Sequence, residues 1–181
     1  MEDAKDYGAV AKLAHWLVFA LVAVQFAVAW TMPEIGRDTR PEGLVAWHLS
    51  VGTLILLVVV LRLLWRLTHP APPQLPTVPR WQRSLAGLVH FLLYAILLAL
   101  PFLGWGNASS RGWDVALFGL IPLPTLFADG SRFGHALGDI HAACATVLLI
   151  LVGLHCAAAL YHQLIAKDRT LRRMLPWSTR S

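Results

Sequence analysis

The sequence predicts an all-α fold, a bundle of four transmembrane helices, and three observations carry that expectation. The 181 residues are 57% hydrophobic and only 14% Asp, Glu, Lys or Arg, against about 25% charged residues in an ordinary soluble domain. The apolar residues gather into four blocks, each long enough to cross about 30 Å of hydrocarbon. Basic residues sit between and after those blocks rather than along one helix face. The net charge of +5 therefore reads as a topology signal and not as a nucleic-acid footprint. Residues 1–181 are expected to form a single membrane domain.

The spans are expected at about 13–30, 44–64, 85–105 and 137–165. The first connector, Thr31 to Gly43, balances Glu34, Asp38 and Glu42 against Arg37 and Arg40. The second, Arg66 to Ser84, reads as an extended tether through Pro70, Pro72, Pro73, Pro76 and Pro79. The third, Gly106 to Gly134, holds the apolar piece Trp113 to Phe127, which Pro122 and Pro124 interrupt. It is expected as an interfacial element, not a fifth span. Arg62, Arg66, Arg80 and Arg83 flank the second connector without an acid. The tail carries Lys167, Arg169, Arg172, Arg173 and Arg180 against Asp168 alone. The positive-inside rule then puts the second connector and both termini in the cytoplasm. Met1 to Lys12 mixes acid and base and lacks the marks of a cleaved signal. Cys144 and Cys156 lie about 18 Å apart along the last block, too far to bridge.

Histidine supplies the chemistry. Six of the eight histidines fall in or at the edge of spans: His15, His48, His90, His141, His155 and His162. Ionisable groups are costly in a bilayer and usually face the bundle interior, where they carry function. A lone intramembrane histidine can simply hydrogen-bond a neighbouring helix, but six together ask for more. His141 and His155 share one helix face and differ in depth by about 21 Å. With the N-terminus inside, His15 lies level with His155, and His48 with His141. Two couples result, one per leaflet, each with imidazoles on different helices. A bis-histidine haem needs that arrangement.

Small residues beside these positions (Gly52, Gly153, Ala142, Ala143, Ala145 and Ala157 to Ala159) suit a macrocycle, and equally suit close helix packing. Tetrahedral zinc would want four ligands at one depth. No CxxCH stretch exists for covalent attachment. Two non-covalent haem b groups fit best, and no side chain is assigned a catalytic role of its own.

Several segments also resemble a known family. His15-Trp16-Leu17-Val18-Phe19, Trp47-His48-Leu49-Ser50-Val51-Gly52 and Arg62-Leu63-Leu64-Trp65-Arg66 are similar to the bacterial cytochrome b561 family. So are Gly153-Leu154-His155-Cys156-Ala157-Ala158-Ala159-Leu160-Tyr161-His162 and the run Lys167 to Met174. The resemblance covers nearly the whole chain except the third connector. It implies a multi-pass protein of the bacterial inner membrane that moves electrons. His15 and His155 would ligate the cytoplasmic-side haem, and His48 and His141 the periplasmic-side haem. It further implies a quinone beside His90 and His162, though these could instead be polar groups at the inner interface. The acidic residue that often follows the outer fourth-helix ligand is replaced by Ala142, with Asp139 nearby.

A bis-histidine iron has no open coordination position, so outer-sphere electron transfer follows. The resemblance implies oxidation of superoxide, or another one-electron donor, at the outer face and reduction of ubiquinone in the membrane. Arg37, Arg40, Arg111 and Arg132, with His135, are the candidates for attracting an anion. Pairing with Glu34, Asp38, Asp114 or Asp129, or with lipid phosphate, is the competing role for those arginines. His69 reads as a loop residue. A second function class is a membrane anchor passing electrons between quinone and a separate dehydrogenase or hydrogenase subunit. A third, a haem-free scaffold or transporter, would be colourless.

Overall fold

A computed structural model of the chain describes residues 6–36, 38–73, 75 and 77–176. Of the residues singled out above, Arg37, Pro76 and Arg180 lie outside these. Four helices account for most of the fold: α1 (Ala9–Thr31), α2 (Gly43–Thr68), α3 (Arg80–Ser109) and α4 (Arg132–Leu164). All four are long and apolar enough to cross a membrane. Each reaches past at least one end of the span expected for it, because polar turns continue the helix beyond the hydrocarbon. Arg66 and Thr68 prolong α2, Arg80 to Arg83 begin α3 straight after Pro79, and Ser131 caps α4 by accepting from the Gly134 amide. The second connector is shortened accordingly.

The third connector contains a small hairpin, β1 (Ala116–Leu117) and β2 (Ile121–Pro122), paired antiparallel. Phe118 and Gly119 take φ of 50° and 70°, and the Leu120 amide donates to the Leu117 carbonyl. Two successive positive φ values make the tight turn whose twist suits a hairpin. Ser50 of α2 holds the hairpin: its Oγ accepts from the Phe118 amide at 3.1 Å and donates to the Ala116 carbonyl at 3.4 Å. Trp47 meets Phe118 edge-on one turn earlier. The expected interfacial element is thus an ordered hairpin fastened to the first turns of α2.

In a bilayer, helices gain little from hiding apolar surface and associate through close packing and polar contacts. The α3–α4 seam shows both. A Cβ on Gly134 would stand 2.5 Å from the Ser110 Cβ and 3.2 Å from the Gly106 carbonyl oxygen. A Cβ on Gly106 would stand 2.7 Å from Leu137. Asn107 donates from Nδ2 to the carbonyls of Gly134 and His135 at 3.3 and 3.1 Å. Midway along the bundle, Val22, Val51, Ile55, Val59, Leu100 and Leu148 form a buried layer drawn from all four helices.

The opposite end is closed by the tail. A short 3-10 turn, η1 (Arg172–Met174), folds back on α1, where Trp16 donates from Nε1 to the Met174 carbonyl at 2.9 Å. Arg173, 5% exposed, donates to the Pro73 carbonyl at 3.0 Å and lies over the Tyr7 ring. Asp168 fastens the turn out of α4 by accepting from the Thr170 amide and from His162 Nδ1. Burial by itself raises the Asp168 carboxyl pKa. The hydrogen bonds from Thr170 and His162 outweigh that and hold it below the ordinary value.

Two outcomes follow. Gly134→Ala should destabilise the seam by about 1–3 kcal/mol through overpacking, lowering the melting temperature in detergent. Gly87→Ala, whose Cβ would meet nothing within 4 Å, should not. A carboxyl whose folded pKa is depressed contributes stability that is full above its unfolded value. That contribution fades as pH falls through the folded value. The melting advantage of the natural chain over Asp168→Asn should therefore hold at neutral pH and begin to fade only as pH drops below about 4.

Candidate functional site

Each of the expected couples is brought together. His48 on α2 and His141 on α4 have ring centres 6.0 Å apart with planes crossed at 72°. His15 on α1 and His155 on α4 have ring centres 6.1 Å apart, crossed at 67°. An iron between two imidazoles takes a metal–nitrogen bond of about 2 Å on either side, plus about 1 Å from each nitrogen to its ring centre. That places the centres about 6 Å apart. Both couples fit. His90 on α3 stands 5.2 Å from the His155 ring centre, closer than two imidazoles on opposite sides of one iron. Among the described residues no three His, Cys, Asp or Glu side chains converge as a naked metal ion would require.

Helix packing leaves room for a macrocycle. α3 runs along α4, α1 along α2 and α2 along α3, whereas neither α1 nor α2 lies closely along α4. The two helix pairs that share a histidine couple are thus among those held apart. On α4, Leu148 of the midway layer stands between His141 and His155, two turns from either.

Local chemistry orients the rings. His141 donates from Nδ1 to the Leu100 carbonyl at 2.9 Å, which leaves Nε2 with the lone pair a metal needs. Gly104 makes that pose possible, since a Cβ there would lie 3.1 Å from the imidazole. At the other couple, Arg62 donates from Nε to the Tyr94 hydroxyl at 2.9 Å and from Nη1 to the Ala11 carbonyl at 3.2 Å. Its guanidinium lies within coulombic reach of His15, His90 and His155. A cation there suits an anionic substituent such as a haem propionate. The small residues divide: Gly153 faces open space, but the open side of Gly52 is taken by the Gln25 amide, 3.3 Å from where a Cβ would be.

His90 and His162 do not meet: His90 packs on His155, while His162 is turned towards Asp168 at the end of α4. At the hairpin end, a cleft of about 190 Å³ is lined by Thr39, Arg111, Trp113, Asp129 and His135. Arg111 donates to Asn107 Oδ1 at 3.1 Å and to the Gly36 carbonyl at 3.2 Å, over the Trp113 ring. His135 bonds Ser110 at 2.7 Å. Among the described residues, no ion pair joins Arg40, Arg111 or Arg132 to Glu34, Asp38, Asp114 or Asp129. His69 caps α2 and stacks on Trp65 with ring centres 3.7 Å apart. Sequence reasoning passed over Gln25, Gly104 and the Arg62–Tyr94 pair. Gln25 carried a usable signal, a polar amide in the middle of a span.

The chain is similar to known proteins over nearly its whole length. A family model described as prokaryotic cytochrome b561 matches residues 6–177. Over 176 residues the chain is 33% identical to the probable superoxide oxidase CybB of Yersinia pestis, covering 95% of this chain and 97% of that one. It is 31% identical over 170 residues to cytochrome b561 homolog 2 of Escherichia coli, covering 93% and 90%. It is 27% identical over 169 residues to cytochrome b562 of Cereibacter sphaeroides, covering 89% of each. Four apolar helices of spanning length and a match over nearly the whole sequence lead to one conclusion: the chain belongs to the prokaryotic cytochrome b561 family, multi-pass inner-membrane proteins that carry electrons on haem b.

Proposed function

We propose that the protein oxidises superoxide at the periplasmic face and reduces ubiquinone near the cytoplasmic face, with both termini in the cytoplasm. The observation that carries this is the pair of imidazole couples with ring centres 6.1 and 6.0 Å apart, one towards either end of the bundle. In this reading two haems are bound, one between His15 and His155 and the other between His48 and His141. Haem held by these residues would supply reversible one-electron redox chemistry. Two superoxide anions each give up one electron and leave as dioxygen. Ubiquinone takes up the two electrons with two protons from the cytoplasmic side and becomes ubiquinol.

The chain's own residues divide the remaining work. Arg111, held by Asn107 and Gly36 beside the cleft with His135 and Thr39, attracts the anionic donor, with Arg40 and Arg132 adding to the field. Arg62 receives an anionic haem substituent beside the inner couple. His90 and His162 contact the quinone from separate helices. Asp168 accepts from His162 Nδ1, and when the ring takes up a second proton from the cytoplasmic side Nε2 can hand it to a quinone oxygen. The printed name of the Yersinia relative supports superoxide as the donor.

Purified protein should contain two haems per chain by the pyridine haemochrome assay. His15→Ala or His155→Ala should remove one of them, and His48→Ala or His141→Ala the other. Two haems remaining in His141→Ala would overturn the outer assignment. Proteoliposomes loaded with ubiquinone should form ubiquinol when superoxide is generated outside. A chain that passes no electrons in that assay, yet copurifies with a dehydrogenase subunit, is an anchor instead. Arg111→Gln should slow superoxide-driven haem reduction by about threefold to tenfold at low ionic strength, with a flatter salt dependence.

A further inference from the structure

Gln25 lies within the apolar span of α1, towards its C-terminal end. Its Nε2 donates to the His48 carbonyl at 2.9 Å, while its Oε1 is buried without a hydrogen-bond partner. His48 Nδ1 is also buried without a partner. One orphan is an acceptor, the other becomes a donor once its proton is assigned, and a hydrogen bond already ties the two residues together. Buried polar groups are nearly always satisfied, and an unsatisfied one is costly, most of all in a membrane.

We propose that Gln25 is the positioning residue of the outer axial histidine: its side-chain amide oxygen accepts the Nδ1 proton of His48, fixing the tautomer that presents Nε2 to iron. The inference rests on reading His48 as a haem ligand. Its counterpart on the other ring is the bond from His141 Nδ1 to the Leu100 carbonyl. Metal-bound histidines as a rule donate their second N–H to such a partner, which raises their basicity as ligands. Gly52 has a reason to be glycine here, since a Cβ would press on the Gln25 amide from 3.3 Å.

The test is a redox titration, with ferric electron paramagnetic resonance, of the two-haem protein carrying Gln25→Met or Gln25→Glu. Met keeps the volume and removes the acceptor, so the His48–His141 haem should be easier to reduce and its g-values should shift. Glu strengthens the acceptor, so the same haem should be harder to reduce. The His15–His155 haem should not move in either variant. An unmoved outer haem in Gln25→Met, or displacement in the same direction in both variants, overturns the proposal. The haem count of His48→Ala tests the underlying ligand assignment separately: two haems retained there would remove the ligand itself, whatever Gln25 does.

Discussion

An imidazole inside hydrocarbon must find a partner, and this bundle holds four of its imidazoles as two couples a fixed distance apart. Uncharged, each ring still carries a lone pair and an N–H that lipid cannot satisfy. The chain brings the rings to facing positions with centres 6.1 and 6.0 Å apart. That separation is too wide for a direct hydrogen bond between the rings and matches a metal between them. The rest of the architecture can be understood as what keeps it. Were the helices free to close, the couples would collapse onto each other.

The helices are kept apart by unequal packing. α4 carries one ring of each couple and is clamped to α3 by the glycine-lined seam, with Asn107 and Ser110 as polar ties. α1 packs on α2, and α2 reaches α3, so α4 lies closely along neither of the other two ligand-bearing helices. The midway layer of Val22, Val51, Ile55, Val59, Leu100 and Leu148 sets the spacing and separates the two depths. One end is finished by the hairpin on Ser50, the other by the tail on Tyr7, Trp16 and Pro73. The site is thus fixed by the same contacts that hold the bundle.

Much of this was legible in the sequence because two strong signals coincide. Spans are visible from apolar length, and the depth of each histidine follows from its position within a span. Pairing His15 with His155 and His48 with His141 needed nothing more than helix rise and alternating direction. What escaped detection depends on rotation about helix axes and on contacts between helices. Gly52 suggested space for a macrocycle, yet its neighbour is the Gln25 amide. Gly104 gave no sign that it accommodates His141, because the two are far apart in sequence. The hairpin at Ala116–Pro122 was hidden by its prolines and apolar composition, which suit an irregular interfacial segment as well as a pair of two-residue strands. His90 and His162 were linked only by the family resemblance, which could not show that one packs on His155 and the other on Asp168.

The central claim is that two separated imidazole couples each hold a haem iron. It is tested most directly by the electron paramagnetic resonance spectrum of the oxidised purified protein, recorded together with near-infrared magnetic circular dichroism. The crossed ring planes, at 67° and 72°, lead us to expect two low-spin ferric signals of strong anisotropy, both with bis-imidazole charge-transfer bands. A single signal, or a high-spin iron with an open axial position, would contradict it.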